Sequence, residues 1–185
     1  VTATLPYPAN VFVQMLQALD HILDTARTSP SGPPGARIVH ARLAPDMFDL
    51  SQHVELTCRH ALEAEARLAG RPDAVSIDLE GETLEALQAL IRRTIDRLRD
   101  RAPGEATRTF GSDVEVHTTT GQLFRMSGNE MLDDWAFPQF YFHLVTAYAI
   151  LRNNGVGLGI RDYLGHMRRH LVSGEDASGG ARAES

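Results

Sequence analysis

The stretch Trp135-Ala-Phe-Pro-Gln-Phe-Tyr-Phe-His-Leu-Val-Thr-Ala-Tyr-Ala-Ile-Leu151 leaves the chain few ways to fold. It is apolar round nearly its whole circumference, so as a helix it belongs in the middle of a bundle rather than on a surface. Gln139, His143 and Thr146 interrupt it at intervals of four and three residues, which stacks them on one helix face. The run falls short of the ~20 apolar residues a membrane span needs, and it contains Pro, Gln and His. A membrane partner is therefore not expected.

Three other helices are needed to cover such an element, and the chain supplies them. From about Pro8 to Arg27, residues Val11, Phe12, Met15, Leu16, Leu19, Ile22 and Leu23 recur at three- and four-residue intervals. Thr28 to Gly35, rich in Pro and Gly, reads as a loop between helices, followed by a brief extended piece at Ile38 and Val39. The second helix carries Met47, Leu50, Val54, Cys58, Ala61 and Leu68 in near-heptad rhythm, and Gly70 is placed to end it in a left-handed turn. His53 shares a face with Asp49, and Asp49 with Asp46; both carboxylates lie in or near the first turn, where they favour the helix dipole. The third helix runs from Thr83, its N-cap, to about Arg101.

Between the third and fourth helices the period changes. Val114-Glu-Val116 alternates, Thr118 to Gly121 can turn, and Leu123 to Met126 is apolar again, which predicts a small β-hairpin. Ser127-Gly-Asn-Glu130 is a capping box that opens the fourth helix, expected to run to about Asn153, with Pro138 kinking it and freeing the carbonyl of Asp134. Asn154-Gly155 stops it. Val156 to Gly165 is too glycine-rich for a helix and is expected to fold back on the bundle. Residues 1–170 are thus expected to form one domain, with 171–185 a flexible, disordered tail.

Charge and motif content narrow the function by exclusion. A net charge of −6 over 185 residues argues against a nucleic-acid surface. The single cysteine, Cys58, suits a reducing compartment, and Val1 to Pro8 lacks a basic region followed by an apolar one, so a cytoplasmic location is expected. No Walker, GxGxxG, CxxC or G-x-S-x-G motif occurs, so nucleotide binding and serine or redox catalysis lack support.

Arg42-Leu-Ala-Pro-Asp-Met-Phe48, Ala66-Arg-Leu-Ala-Gly70, Phe140-Tyr-Phe-His143 with Thr146-Ala-Tyr-Ala-Ile-Leu-Arg152, and Arg161-Asp-Tyr-Leu-Gly165 resemble an uncharacterised domain-of-unknown-function family. That family belongs to the DinB/YfiT-like superfamily, and the resemblance covers roughly Leu5 to Gly165. It implies an all-α, antiparallel four-helix bundle. It also implies a divalent metal such as Zn, Ni or Mn, held by one histidine of the second helix and an H-x-x-x-H pair of the fourth, with thiol-dependent transfer chemistry in some members. Here the positions four residues either side of His143 hold Gln139 and Ala147, so the metal triad is incomplete.

Three readings of the central helix follow. In the first, a small apolar or aromatic ligand occupies a pocket at the face between the second and fourth helices, lined by Trp135, Phe137, Tyr141 and Tyr148 and oriented by Gln139 and His143. In the second, His143 and His53, with Asp46 or Asp49, hold a divalent metal in an enzyme. In the third, the protein is structural and homodimeric, and His143 is a core histidine bonded to Gln139, Thr146 or the carbonyl freed by Pro138. His60, seven residues from His53, shares its face without an evident partner.

Overall fold

The apolar stretch is helical in the computed structural model of the chain, which describes residues 7–29, 35–72, 75–100, 113–118 and 120–172. Among the described residues the protein is mostly helical, with one two-stranded antiparallel sheet. In chain order the helices are α1 (Ala9–Thr28), a single turn α2 (Gly35–Ile38), α3 (Leu50–Leu68), α4 (Leu84–Arg99), a short α5 (Gly128–Glu130), α6 (Phe137–Asn153) and a short α7 (Ile160–Tyr163). The four long ones pack as the apolar faces require: α3 lies mainly against α6 and also on α4, and α1 lies mainly against α4. Among the described residues no helix is long and apolar enough to cross a membrane.

Helix ends follow the local chemistry. Gly70 (φ +69°) and Gly155 (φ +87°) take left-handed conformations, and Arg71 N–H donates to Ala66 O as Val156 N–H donates to Leu151 O. Both helices therefore close with the same six-to-one bond, one that a side chain at the glycine would strain. Thr83 caps α4 by accepting from Ala86 N–H at 3.1 Å. At Ser127 the expected box is complete: Ser127 Oγ accepts from Glu130 N–H, and Glu130 Oε2 accepts from Ser127 N–H at 2.8 Å. Because that box starts the whole path into α6, Ser127→Ala is expected to lower the unfolding free energy by about 1 kcal/mol, measured by urea denaturation.

The hairpin also forms, with β1 (Asp113–His117) antiparallel to β2 (Leu123–Ser127) and Val114 and Val116 facing the core. Three expectations need correction. The piece at Ile38 ends a helical turn rather than being extended. Val156 to Gly165 does fold back, burying Val156 and Leu158 and setting α7 against α1, but it includes that short helix. Pro138 sits in the first turn of α6, preceded by a π-helical segment, Met131–Ala136, in which Phe137 N–H bonds to Leu132 O. A proline ring clashes with the carbonyl four residues back; widening the preceding turn by one residue relieves that clash within a continuous helical path. Residues 30–34 of the expected loop and 173–185 of the expected tail lie outside the described residues.

Candidate functional site

The α3/α6 contact brings together residues ninety positions apart. His53, one turn into α3, and His143, in the middle of α6, are 1% and 8% exposed. Their Nδ1 atoms face each other at 2.9 Å. Two lone pairs would repel at that distance, so one imidazole carries its proton at Nδ1 and donates to the other. His53 Nε2 is buried and finds no partner among the described residues.

A third histidine joins them. His60 stands two turns beyond His53 on α3, and its ring stacks on that of His143 at 5.4 Å with 16° between planes. Phe48 and Phe142, both about half exposed, flank the pair, with centroids 6.1 Å from His53. Phe142 also meets His143 edge-on at 5.1 Å.

The electrostatics keep this cluster neutral. Burial, with the repulsion of a proton on His60 or His53 added, pushes His143 down to about 4. Burial also lowers His53, against the opposing pull of the Asp49 carboxylate, and lowers His60. Three neutral imidazoles near neutral pH are three potential donors to a ligand or a metal.

The other expected site residues are dispersed. Asp49 is the N-cap of α3: its Oδ1 accepts from Gln52 N–H at 3.0 Å and Ser51 Oγ at 2.6 Å, while Oδ2 lies near Arg42 and His40. Burial would raise its carboxyl, but the Ser51 and Gln52 hydrogen bonds and the Arg42 charge hold it below the usual range. That carboxylate serves the helix end. Asp46 is exposed in the preceding loop. His143 bonds to His53 and not, as expected, to Gln139 or Thr146; the Thr146 hydroxyl donates to Phe142 O within its own helix.

The aromatic lining does not gather round one pocket. At 3.6 residues per turn, Phe137, Tyr141 and Tyr148 lie roughly 120–160° round α6 from His143. Phe137 packs on Phe12 at 5.2 Å and Tyr148 on Tyr163 at 6.2 Å, on the α1 and α7 side. Trp135 lies in the π segment against Phe124 of the hairpin. Only His143 and the half-buried Gln139 remain on the α3 side.

As they stand, no three His, Cys, Asp or Glu side chains among the described residues form a group that could hold a metal ion. The donor chemistry nevertheless fits a two-point site. Two imidazole nitrogens bound ~2.0–2.1 Å from a tetrahedral ion lie about 3.3 Å apart, a few tenths of an ångström more than the Nδ1 pair here.

Comparison with known proteins supports the overall architecture. Residues 7–164 match the family described as "Domain of unknown function (DUF1993)". The crystal structure of a DinB family member protein from Shewanella denitrificans is similar, with a TM-score of 0.73 and 30% sequence identity over 85% of this chain and 89% of that one. None of the curated proteins matches. The chain belongs to the DUF1993 family and is DinB-like.

Proposed function

We propose that this DUF1993 chain is an antiparallel four-helix-bundle protein of the DinB type whose α3/α6 face binds a divalent transition metal through His53 and His143. The observation that carries this reading is the buried Nδ1 pair at 2.9 Å. Imidazole donors suit Zn²⁺, Ni²⁺ or Cu²⁺ better than Mg²⁺ or Ca²⁺, and both rings are already neutral, so binding displaces at most the one shared proton. Sites built from side chains on facing helices are the usual arrangement in such bundles. A metal held here would act as a Lewis acid on a ligand in its open positions. The Phe48 and Phe142 rings beside the pair would keep water away from it and favour a small apolar or aromatic ligand.

Calorimetric titration with Zn²⁺, Ni²⁺ and Mn²⁺, with elemental analysis, tests the reading on the wild type, His53→Ala and His143→Ala. One equivalent is expected in the wild type, with Zn²⁺ or Ni²⁺ preferred over Mn²⁺. Both variants should bind at least about 100-fold more weakly, since each keeps a single donor. A wild type that takes up no metal overturns it. The pair would then be a hydrogen-bonded core feature, a reading favoured by the missing third donor among the described residues.

A further inference from the structure

We propose that α6 carries a self-complementary docking surface through which two copies of this chain pair, their α6 helices antiparallel about a two-fold axis. Among the described residues, the only large apolar side chains exposed on the four long helices, Phe142 and Val145, both lie on α6, 56% and 46% exposed. With the exposed Pro138 before them and the half-buried Ala149 after, they stand at intervals of four, three and four residues. That is the spacing of a coiled-coil seam, and it keeps the four within about 60° of the helix circumference. The helix turns its buried faces to α3 and α1, so this stripe is the side that the bundle leaves open.

The ends of the stripe say what covers it. Asp134, four residues before Pro138, and Arg152, three after Ala149, are both exposed, and neither makes an ion pair among the described residues. In chain order the stripe is therefore acidic, apolar and basic, and a two-fold contact needs a patch complementary to itself. Parallel pairing would set Asp134 on Asp134 and Arg152 on Arg152. Antiparallel pairing has a register that sets Phe142 against Val145 of the second copy and Pro138 against its Ala149, and brings Asp134 within one residue of its Arg152 at both ends. Opposed helix dipoles favour the same direction.

A lipid or nucleic-acid surface fits the stripe less well, because one carboxylate and one guanidinium give it no basic excess. Pairing also bears on the histidine site. Phe142 meets His143 edge-on at 5.1 Å, so the second copy covers the exposed aromatic wall of that site, with or without a metal in it. The hydrophobic core of the bundle is complete within one chain, so pairing and folding can be separated.

Sedimentation equilibrium of the full chain over about 1 µM to 1 mM tests the proposal, the range in which a small interface dissociates. The wild type should convert from monomer to dimer. Phe142→Glu should stay monomeric throughout, whereas Leu123→Glu, at a similarly exposed position on β2, should pair like the wild type. Arg152→Glu should weaken the dimer about 5-fold or more, and adding Asp134→Arg should restore it, because the swap re-creates both end pairs. At the lowest concentration every variant should melt within a few degrees of the wild type, since each changed side chain is exposed. A wild type that is monomeric at the highest concentration overturns the proposal and leaves the stripe to a different partner. A dimer untouched by Phe142→Glu overturns the α6 surface, and a swap that fails to restore pairing overturns the antiparallel register.

Discussion

Phe140→Ala is expected to lower the unfolding free energy by about 3–5 kcal/mol, which for a domain of this size lowers the melting temperature by roughly 10–15 °C. The ring is fully buried and meets Phe12, also fully buried, edge to face at 5.0 Å, with Tyr141 against it at 5.4 Å. Its removal forfeits transfer of the ring out of water and leaves a cavity between α6 and α1. Those helices cannot close on it, because α6 is held on its other side by α3. Phe142, two residues on, is the control: it is 56% exposed, so Phe142→Ala should change stability by about 1 kcal/mol at most. Urea unfolding with an unchanged slope measures both. A Phe140→Ala loss below about 1.5 kcal/mol would mean that α6 is not the packed centre described here.

The contrast between Phe140 and Phe142 marks what could be read from the sequence. Helices with a one-sided apolar stripe, α1, α3 and α4, were legible because their period names the buried face. So were the caps at Thr83 and Ser127 and the glycine stops at Gly70 and Gly155, since each is a local rule about orphan N–H and C=O groups. The helix α6 is apolar almost all round, so its period says that it is central without saying which neighbour faces which side. The expectation that Phe137, Tyr141 and Tyr148 share a lining with His143 overlooks their spacing, which sets them roughly 120–160° round the helix from it; Phe137 and Tyr148 pack on the α1 and α7 side.

The same ambiguity hid the histidine cluster. The seven-residue spacing of His53 and His60 was visible, but the residue between them comes from a helix ninety positions away. Asp49 was decidable from sequence: Gln52, three residues on, completes a capping box, and that pairing assigns the carboxylate to the helix end.

The metal-free protein is expected to lose stability as the pH falls from about 6.5 to about 4. In the unfolded chain His143 takes up a proton near 6.5; in the folded protein burial and its histidine neighbours delay this to about 4. Between those values the unfolded state binds more protons, so stability rises with pH and is lost as pH falls. At about 1.4 kcal/mol per unit, His143 alone contributes a loss on the order of 3 kcal/mol. His53 and His60 are displaced in the same direction and add to the slope, though less than independently, since a proton on one is part of what disfavours a proton on the next. Asp49 and Glu130 are held below the ordinary carboxylate range by their capping contacts, so their stabilisation persists through this window and goes only at lower pH. Urea unfolding of the wild type and His143→Leu at pH 7, 5.5 and 4.5 separates the two contributions. The wild type should weaken steadily over that range, and the leucine variant, with the largest of the three displaced histidines gone, should be markedly flatter. Equal slopes in the two proteins would show that the histidines are not held neutral by the fold, and protons would then compete more strongly with a metal for the Nδ1 pair.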